Sequence, residues 1–158
     1  MYVIYFSWRE KMKVVSTNKF ASHNYFLLET FEAGVVLFGC EIKSIRQNGI
    51  VMNESFILIS GNEVVLKNSF VKPYQTSNSF SPKPDRDRKL LLNLSEILKL
   101  KNAREQKGLT IIPVKAYIKN NLLKIEIAIA RGKKLFNKKD DIKERDIKKE
   151  AERAISKM

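Results

Sequence analysis

Two adjacent runs late in the chain alternate apolar and polar residues with a period of two. Ile112, Val114, Ala116 and Ile118 interleave with Lys115, Tyr117 and Lys119. After Asn120-Asn121, Leu123, Ile125, Ile127 and Ile129 interleave with Lys124, Glu126, Ala128 and Ala130. Successive side chains of a strand point to opposite faces, so this pattern predicts two antiparallel strands with one buried face and one wet face.

The preceding segments supply more of the same. Tyr25–Phe31 and Val35–Phe38 are aromatic and β-branched, and Glu32-Ala-Gly34 is predicted as the bend between them. Cys40 to Asn48 reads as a short helix with Ile42 and Ile45 on one face and Gly49 as its left-handed cap. Phe56–Ile59 and Glu63–Leu66 flank Ser60-Gly-Asn62, a hairpin signal. Residues 72–88 hold Pro73, Pro82 and Pro84 and run into the charged stretch Asp85–Lys89, which predicts a long surface loop. Asn93 with Glu96 three residues later starts a helix whose stripe is Leu94, Ile97 and Leu98, and Gly108 stops it. About six strands and two helices result. The expected fold is mainly β with α: a small, partly closed antiparallel β-barrel with helices at its ends, since closure removes exposed strand edges.

Charge then narrows the function. Thirty Lys and Arg face seventeen Asp and Glu, a formal net charge of +13 over 158 residues. A hydrophobic content of 44% is enough for a core and excludes wholesale disorder. One cysteine excludes an internal disulfide framework and a multi-cysteine zinc site. The single histidine, His23, has no nucleophile suggested beside it, and general-base work needs an orienting partner. Cys40 reads as a half-buried thiol. No Walker loop, dinucleotide fingerprint, zincin motif or paired-carboxylate motif occurs. A basic domain of this kind holds phosphates rather than performing catalysis, with no catalytic residue, metal or cofactor expected.

Both ends depart from the middle. Met1–Trp8 is apolar, but its charges follow instead of precede it and no small-residue cleavage site comes after. No window approaches the ~18–20 apolar residues of a membrane span, so the expectation is a cytoplasmic protein with no membrane partner. Met12 is a second plausible start, and residues 1–12 read as an extension outside the domain. Residues 131–158 carry eleven Lys/Arg against six Asp/Glu, a net +5. This tail has too few large apolar residues to fold alone. From Ile142 onward it can form a helix with Ile147, Ala151, Ala154 and Ile155 as a thin stripe, so it is expected to be disordered when free and ordered on a partner.

Cations are interleaved with planar and amide side chains at three places. Asn18, Lys19, His23 and Tyr25 lie at the first strand; Lys43 and Arg46 lie on the short helix; Arg86, Arg88 and Lys89 lead into Leu90–Asn93. Cations along a backbone with planar groups for unstacked bases suit RNA.

Several strings in order give a specific resemblance: Asn18-Lys-Phe-Ala-Ser-His-Asn-Tyr25, Glu29-Thr-Phe-Glu-Ala-Gly34, Gly39-Cys-Glu-Ile-Lys-Ser-Ile-Arg46, Arg88-Lys-Leu-Leu-Leu-Asn93, Ala130-Arg-Gly-Lys-Lys134 and Ile142-Lys-Glu-Arg-Asp146. From about residue 13 to about 155 the chain resembles the SmpB family of SsrA-binding proteins. The resemblance implies an oligonucleotide-binding-type (OB-type) barrel with flanking helices over residues 13–130, followed by the basic C-terminal tail, 131–158. It implies an RNA-binding adaptor, not an enzyme, that binds the tRNA-like domain of transfer-messenger RNA (tmRNA). The adaptor delivers that RNA to stalled ribosomes, where trans-translation tags the nascent peptide and frees the ribosome.

By the same resemblance, one barrel face carrying Asn18, Tyr25, Glu32, Glu41, Lys43, Arg46, Leu91 and Asn93 holds the elbow of the tRNA-like fold. Lys19, His23, Arg88 and Lys89 belong to the RNA-binding set, as do Arg131, Lys133 and Lys134. Glu32 does not attract phosphate, but it can accept hydrogen bonds from a base edge or orient a lysine. The tail is the ribosome-binding part, aimed at the small-subunit decoding region and the mRNA path. Lys133, Lys134, Lys138, Lys139, Lys143 and Arg145 supply its charge, and Ile142 opens its helical motif. The family pattern has a His-Asp-Lys-Arg stretch where this chain has Phe136, Asn137, Lys138 and Lys139, and an aromatic where it has Ile147. A monomer is the default. The alternative is a generic single-stranded RNA or ribosome-associated OB-fold binding module.

Overall fold

The computed structural model describes residues 12–74, 80–133 and 135–157, with the side chains of 135–141 outside the description. The elements in chain order are β1 (Lys13–Thr17), α1 (Lys19–Asn24), β2 (Tyr25–Val35), α2 (Gly39–Asn48), β3 (Phe56–Ser60), β4 (Glu63–Lys67), β5 (Arg88–Leu91), α3 (Leu94–Glu105), β6 (Leu109–Lys119), β7 (Leu122–Gly132) and α4 (Leu135–Ser156). The seven strands form one antiparallel sheet in the order β1-β6-β7-β2-β5-β4-β3, mainly β with α as expected. No ladder joins β1 to β3 among the described residues, so hydrogen bonds do not close the barrel.

The alternating runs are β6 and β7, and Asn120 and Asn121, at φ 52° and 63°, make the left-handed two-residue turn between them. Gly61-Asn62 turns β3 into β4 with Ser60 paired to Glu63. Phe31 and Ala33 of β2, Ile125, Ile127 and Ile129 of β7, and Val64 and Leu66 of β4 meet Ile45 of α2 and Ile97 and Leu100 of α3 in the main core.

The alternation expected through β6 is broken at Pro113. The register shifts between Pro113 and Lys115, so Ile111 and Ala116 face the main core while Ile112 faces the other side. Proline has no N–H for a ladder, which makes a bulge the tolerated place for it. Asn18 satisfies the bulge: its backbone N–H donates to the Val114 carbonyl at 2.8 Å and its side-chain amide to the Pro113 carbonyl at 2.9 Å. Ile112 is then covered from outside by Ala21 of α1, with Ala130 and Tyr25 beside it.

Other expectations are corrected. The bend predicted at Glu32-Ala-Gly34 is absent; β2 runs straight through it because Gly34 lies opposite Leu91, where an added Cβ would meet the Leu91 Cβ at 3.4 Å. His23 sits in α1 and does not open a strand, and the loop expected up to residue 88 ends where β5 begins. Gly49 does follow α2 at positive φ (72°), but with ψ −169°, a glycine-only region. A Cβ there would lie 2.7 Å from the Val15 carbonyl oxygen.

Candidate nucleic-acid interface

α1 covers only one end of the sheet's outer face. The described residues leave the other end uncovered, and register decides what it displays. Gly34 of β2 lies between Leu91 of β5 and Lys124 of β7, Lys124 lies opposite Tyr117 of β6, and Glu32 lies opposite Glu126, itself opposite Lys115. Here Glu32, Gly34, Leu91, Leu92, Asn93, Glu96 and Lys124 line a concavity of ≈ 410 Å³. The structure thus brings together three of the expected site residues, Glu32, Leu91 and Asn93, from two strands and a helix cap. Leu91 is exposed although it belongs to an apolar run, because its neighbour Leu90 takes the inward position. The Asn93 backbone N–H donates to the Glu96 carboxylate at 3.1 Å, which starts α3, while its side chain remains exposed.

Glu32 is held within this concavity. Its Oε2 accepts a short hydrogen bond from the Tyr117 hydroxyl and lies 3.8 Å from Lys119 Nζ. Burial, then the bond to Glu32, then the charges of Glu32 and Glu126 push the Tyr117 phenol well above its ordinary pKa, so it stays protonated and donates. Lys115 and Glu126 pair beside it at 3.2 Å. Tyr117, Lys119 and Lys124 belong to none of the motifs above; their wet-face positions in the β6–β7 hairpin are the one sequence signal that marks them.

A second group lies at the covered end. Lys19 and His23 are on α1, Tyr25 follows it, and Tyr25 pairs with Gly132 of β7. Lys133 returns to this helix: its N–H donates to the Asn24 carbonyl at 2.8 Å and its Nζ to the Ser22 carbonyl at 3.1 Å, with the Nζ 4.9 Å from the Phe26 ring centre. Arg131 is exposed. Tyr25 and Glu32 are seven residues apart on one strand, roughly 23 Å, so the two groups occupy opposite ends of the outer face. Lys43 and Arg46 are exposed on α2, Lys43 with its Nζ 5.9 Å from the Tyr74 ring. Lys89 is exposed and paired with Glu63 at 3.2 Å.

Three expected contact residues are corrected by burial. Asn18 is 6% exposed and occupied by the β6 bulge. Glu41 is 3% exposed and Arg88 is fully buried. Arg88 Nε and Nη2 approach Glu41 Oε2 at 2.9 and 2.8 Å, and its other donors reach Ser69 Oγ and the carbonyls of Ser69, Pro84 and Arg86. Arg86 adds its guanidinium to Glu41 Oε1 and lies 4.7 Å from the Phe38 ring centre. Burial alone would raise the Glu41 pKa, but hydrogen bonds from Arg86 and the Phe38 amide, with the charge and hydrogen bond of Arg88, hold it below the usual carboxylate range. Arg86 and Arg88 thus tie Ser69 and Pro84 to Glu41 at the start of α2, and Glu41 and Arg88 are spent on this internal network.

The tail leaves β7 at Gly132 and continues as α4, in which Ile142, Lys143 and Arg145 are exposed, as is every described side chain after them. Residues 1–11 of the expected extension, Lys134, and the side chains of Phe136, Asn137, Lys138 and Lys139 lie outside the described residues. Among the described residues no three metal-ligating side chains cluster, and no helix is long and apolar enough to cross a membrane.

Known proteins resemble this chain over most of its length. The family described as SmpB protein matches residues 15–157. The SsrA-binding protein of Ruminiclostridium cellulolyticum is 48% identical over 147 residues, which cover 93% of this chain and 96% of the relative. That of Persephonella marina is 50% identical over 139 residues, covering 88% and 91%. Among solved structures, a chain from "tmRNA-SmpB: a journey to the center of the bacterial ribosome" is similar with a TM-score of 0.65 and 39% identity, over 77% of this chain and 85% of that one.

Proposed function

The chain belongs to the SmpB family, and we propose from that premise a division of labour for its two parts. The protein is a tmRNA-binding adaptor of trans-translation, with tmRNA and the ribosome as its partners. The sheet domain, residues 13–130, takes the tRNA-like domain on its open outer face, and the tail, 131–158, engages the small subunit along the vacant mRNA path. The convergence of Glu32, Leu91 and Asn93 around one concavity carries this reading. It puts a hydrogen-bond acceptor, an apolar surface and an amide together on a chain of net charge +13. Phosphate contacts to surface cations give affinity without sequence information, whereas such a mixed site reads base edges and shape. The protein works in the cytoplasm and by binding alone, without chemistry of its own.

The exposed part of α4, residues 142–156, supports the second role. A cationic segment whose described side chains are all exposed is available to an RNA-lined channel, where vacancy is sensed by competition with mRNA. Its ordering is coupled to that binding.

The test is binding of residues 12–158, and of the same chain ending at Arg131, to a transcribed tRNA-like domain with total tRNA as competitor at two salt concentrations. Tight, selective binding by both is expected. Selectivity lost with the tail would move recognition off the sheet, and no selectivity in either would favour the generic RNA-binding module.

A further inference from the structure

The Glu32 carboxylate has two oxygens in different circumstances. Oε2 is engaged by the Tyr117 hydroxyl and faces Lys119, whereas Oε1 has no partner among the described residues and belongs to a side chain left exposed at the concavity. Tyr117 is 5% exposed, held in β6 opposite Lys124, so its hydroxyl has little room to choose another acceptor. A solvated glutamate samples many rotamers, and ordering it on binding weakens affinity. A glutamate already tied by one oxygen presents the other in a fixed direction.

We propose that Tyr117 is a positioning residue for RNA recognition: its hydroxyl holds Glu32 Oε2 so that Oε1 is preset to accept a hydrogen bond from a base-edge amino or imino group in the elbow of the tRNA-like domain. The inference rests on the assignment of the open face to that RNA. A carboxylate accepts and never donates, so it selects N–H edges and rejects carbonyl edges and phosphates. Tyr117 therefore contributes specificity without touching the RNA. The phenol keeps its proton across the working pH range, which keeps the hydrogen bond one-directional.

The experiment is a double-mutant cycle in the full chain, with Tyr117→Phe, Glu32→Gln and the pair, read as dissociation constants for the transcribed tRNA-like domain at two salt concentrations and as melting temperatures. Phe keeps the ring packing, so the melting temperature is expected to stay within a few degrees. Tyr117→Phe is expected to weaken binding about three- to tenfold, the range for mobilising one ordered side chain, with the salt slope unchanged because no phosphate contact is lost. In the Glu32→Gln background the same change is expected to cost nothing further. Equal losses in both backgrounds, or parental affinity in Tyr117→Phe alongside a weakened Glu32→Gln, would overturn the positioning role and leave the open face as the binding site. Parental affinity in Glu32→Gln itself would overturn both.

Discussion

Glu41 and Arg88 are 47 positions apart and share one buried ion pair, a commitment that no local pattern discloses. Each looks like a surface charge: Glu41 lies in the first turn of α2, and Arg88 sits in a charged run beside Asp85 and Asp87. Whether such a residue points out or in depends on a partner brought by the sheet, which is why the sequence reading placed both against RNA. Once buried, they are mutually dependent. Glu41→Gln leaves Arg88 without its counter-charge and is expected to lower stability by about 3–5 kcal/mol, measured by urea denaturation. The pH dependence follows from the lowered Glu41 pKa: its contribution is fully present above the unfolded value of about 4.3 and is lost as pH falls through the lower folded value. The stability gap between the parent and Glu41→Gln should therefore hold from neutral pH to about 5 and close below about 4. Glu32, by contrast, is exposed on β2 at the concavity, and what holds it is a hydroxyl 85 positions away that no local pattern points to.

Elements with a strong period were legible and elements without one were not. β6, β7, the β3–β4 hairpin and α2 appear where the alternation or the caps place them. α3 starts at its expected cap, but of the expected stripe only Ile97 is buried, with Leu94 and Leu98 exposed and Leu100 and Ala103 facing the core instead. α1 spans six residues, too short to show a helical stripe, and buries only Ala21. β1 and β5 are short strands of five and four residues, defined by their neighbours more than by their own composition. The Pro113 bulge is visible in hindsight through its proline, but the residue that completes it, Asn18, is 95 positions away. α4 stands at the opposite extreme: a helix of 22 residues in which every described side chain, from Ile142 to Ser156, is exposed. Helical stability in proteins comes mainly from packing, so a helix without it adds little to the domain. Ending the chain after Lys133 is expected to leave the melting temperature within about 2 °C of the parent by calorimetry.

Over the whole molecule, positive charge is spread across both parts, with +5 of the +13 in the last 28 residues. The two parts should then differ in their response to salt. If roughly six tail cations displace counterions from ribosomal RNA, the log-log salt slope for ribosome binding should be steeper by about 4 in the full chain than in the chain ending at Arg131. Equal slopes would remove the tail from that contact. The fold class was readable from sequence because alternation is local. The split of the outer face into a covered and an open end was not, because it depends on where α1 lands. β7, the last strand to be made, lies between β6 and β2 in the sheet, and β1 waits for β6. A growing chain emerges N-terminus first, so until some 130 residues are out, β1 and β2 lack the strands that β6 and β7 give them. The domain is therefore a late, high-contact-order folder. A product cut short anywhere before Leu122 would have unpaired strand edges and an open core, a substrate for proteases and chaperones rather than a half-working adaptor.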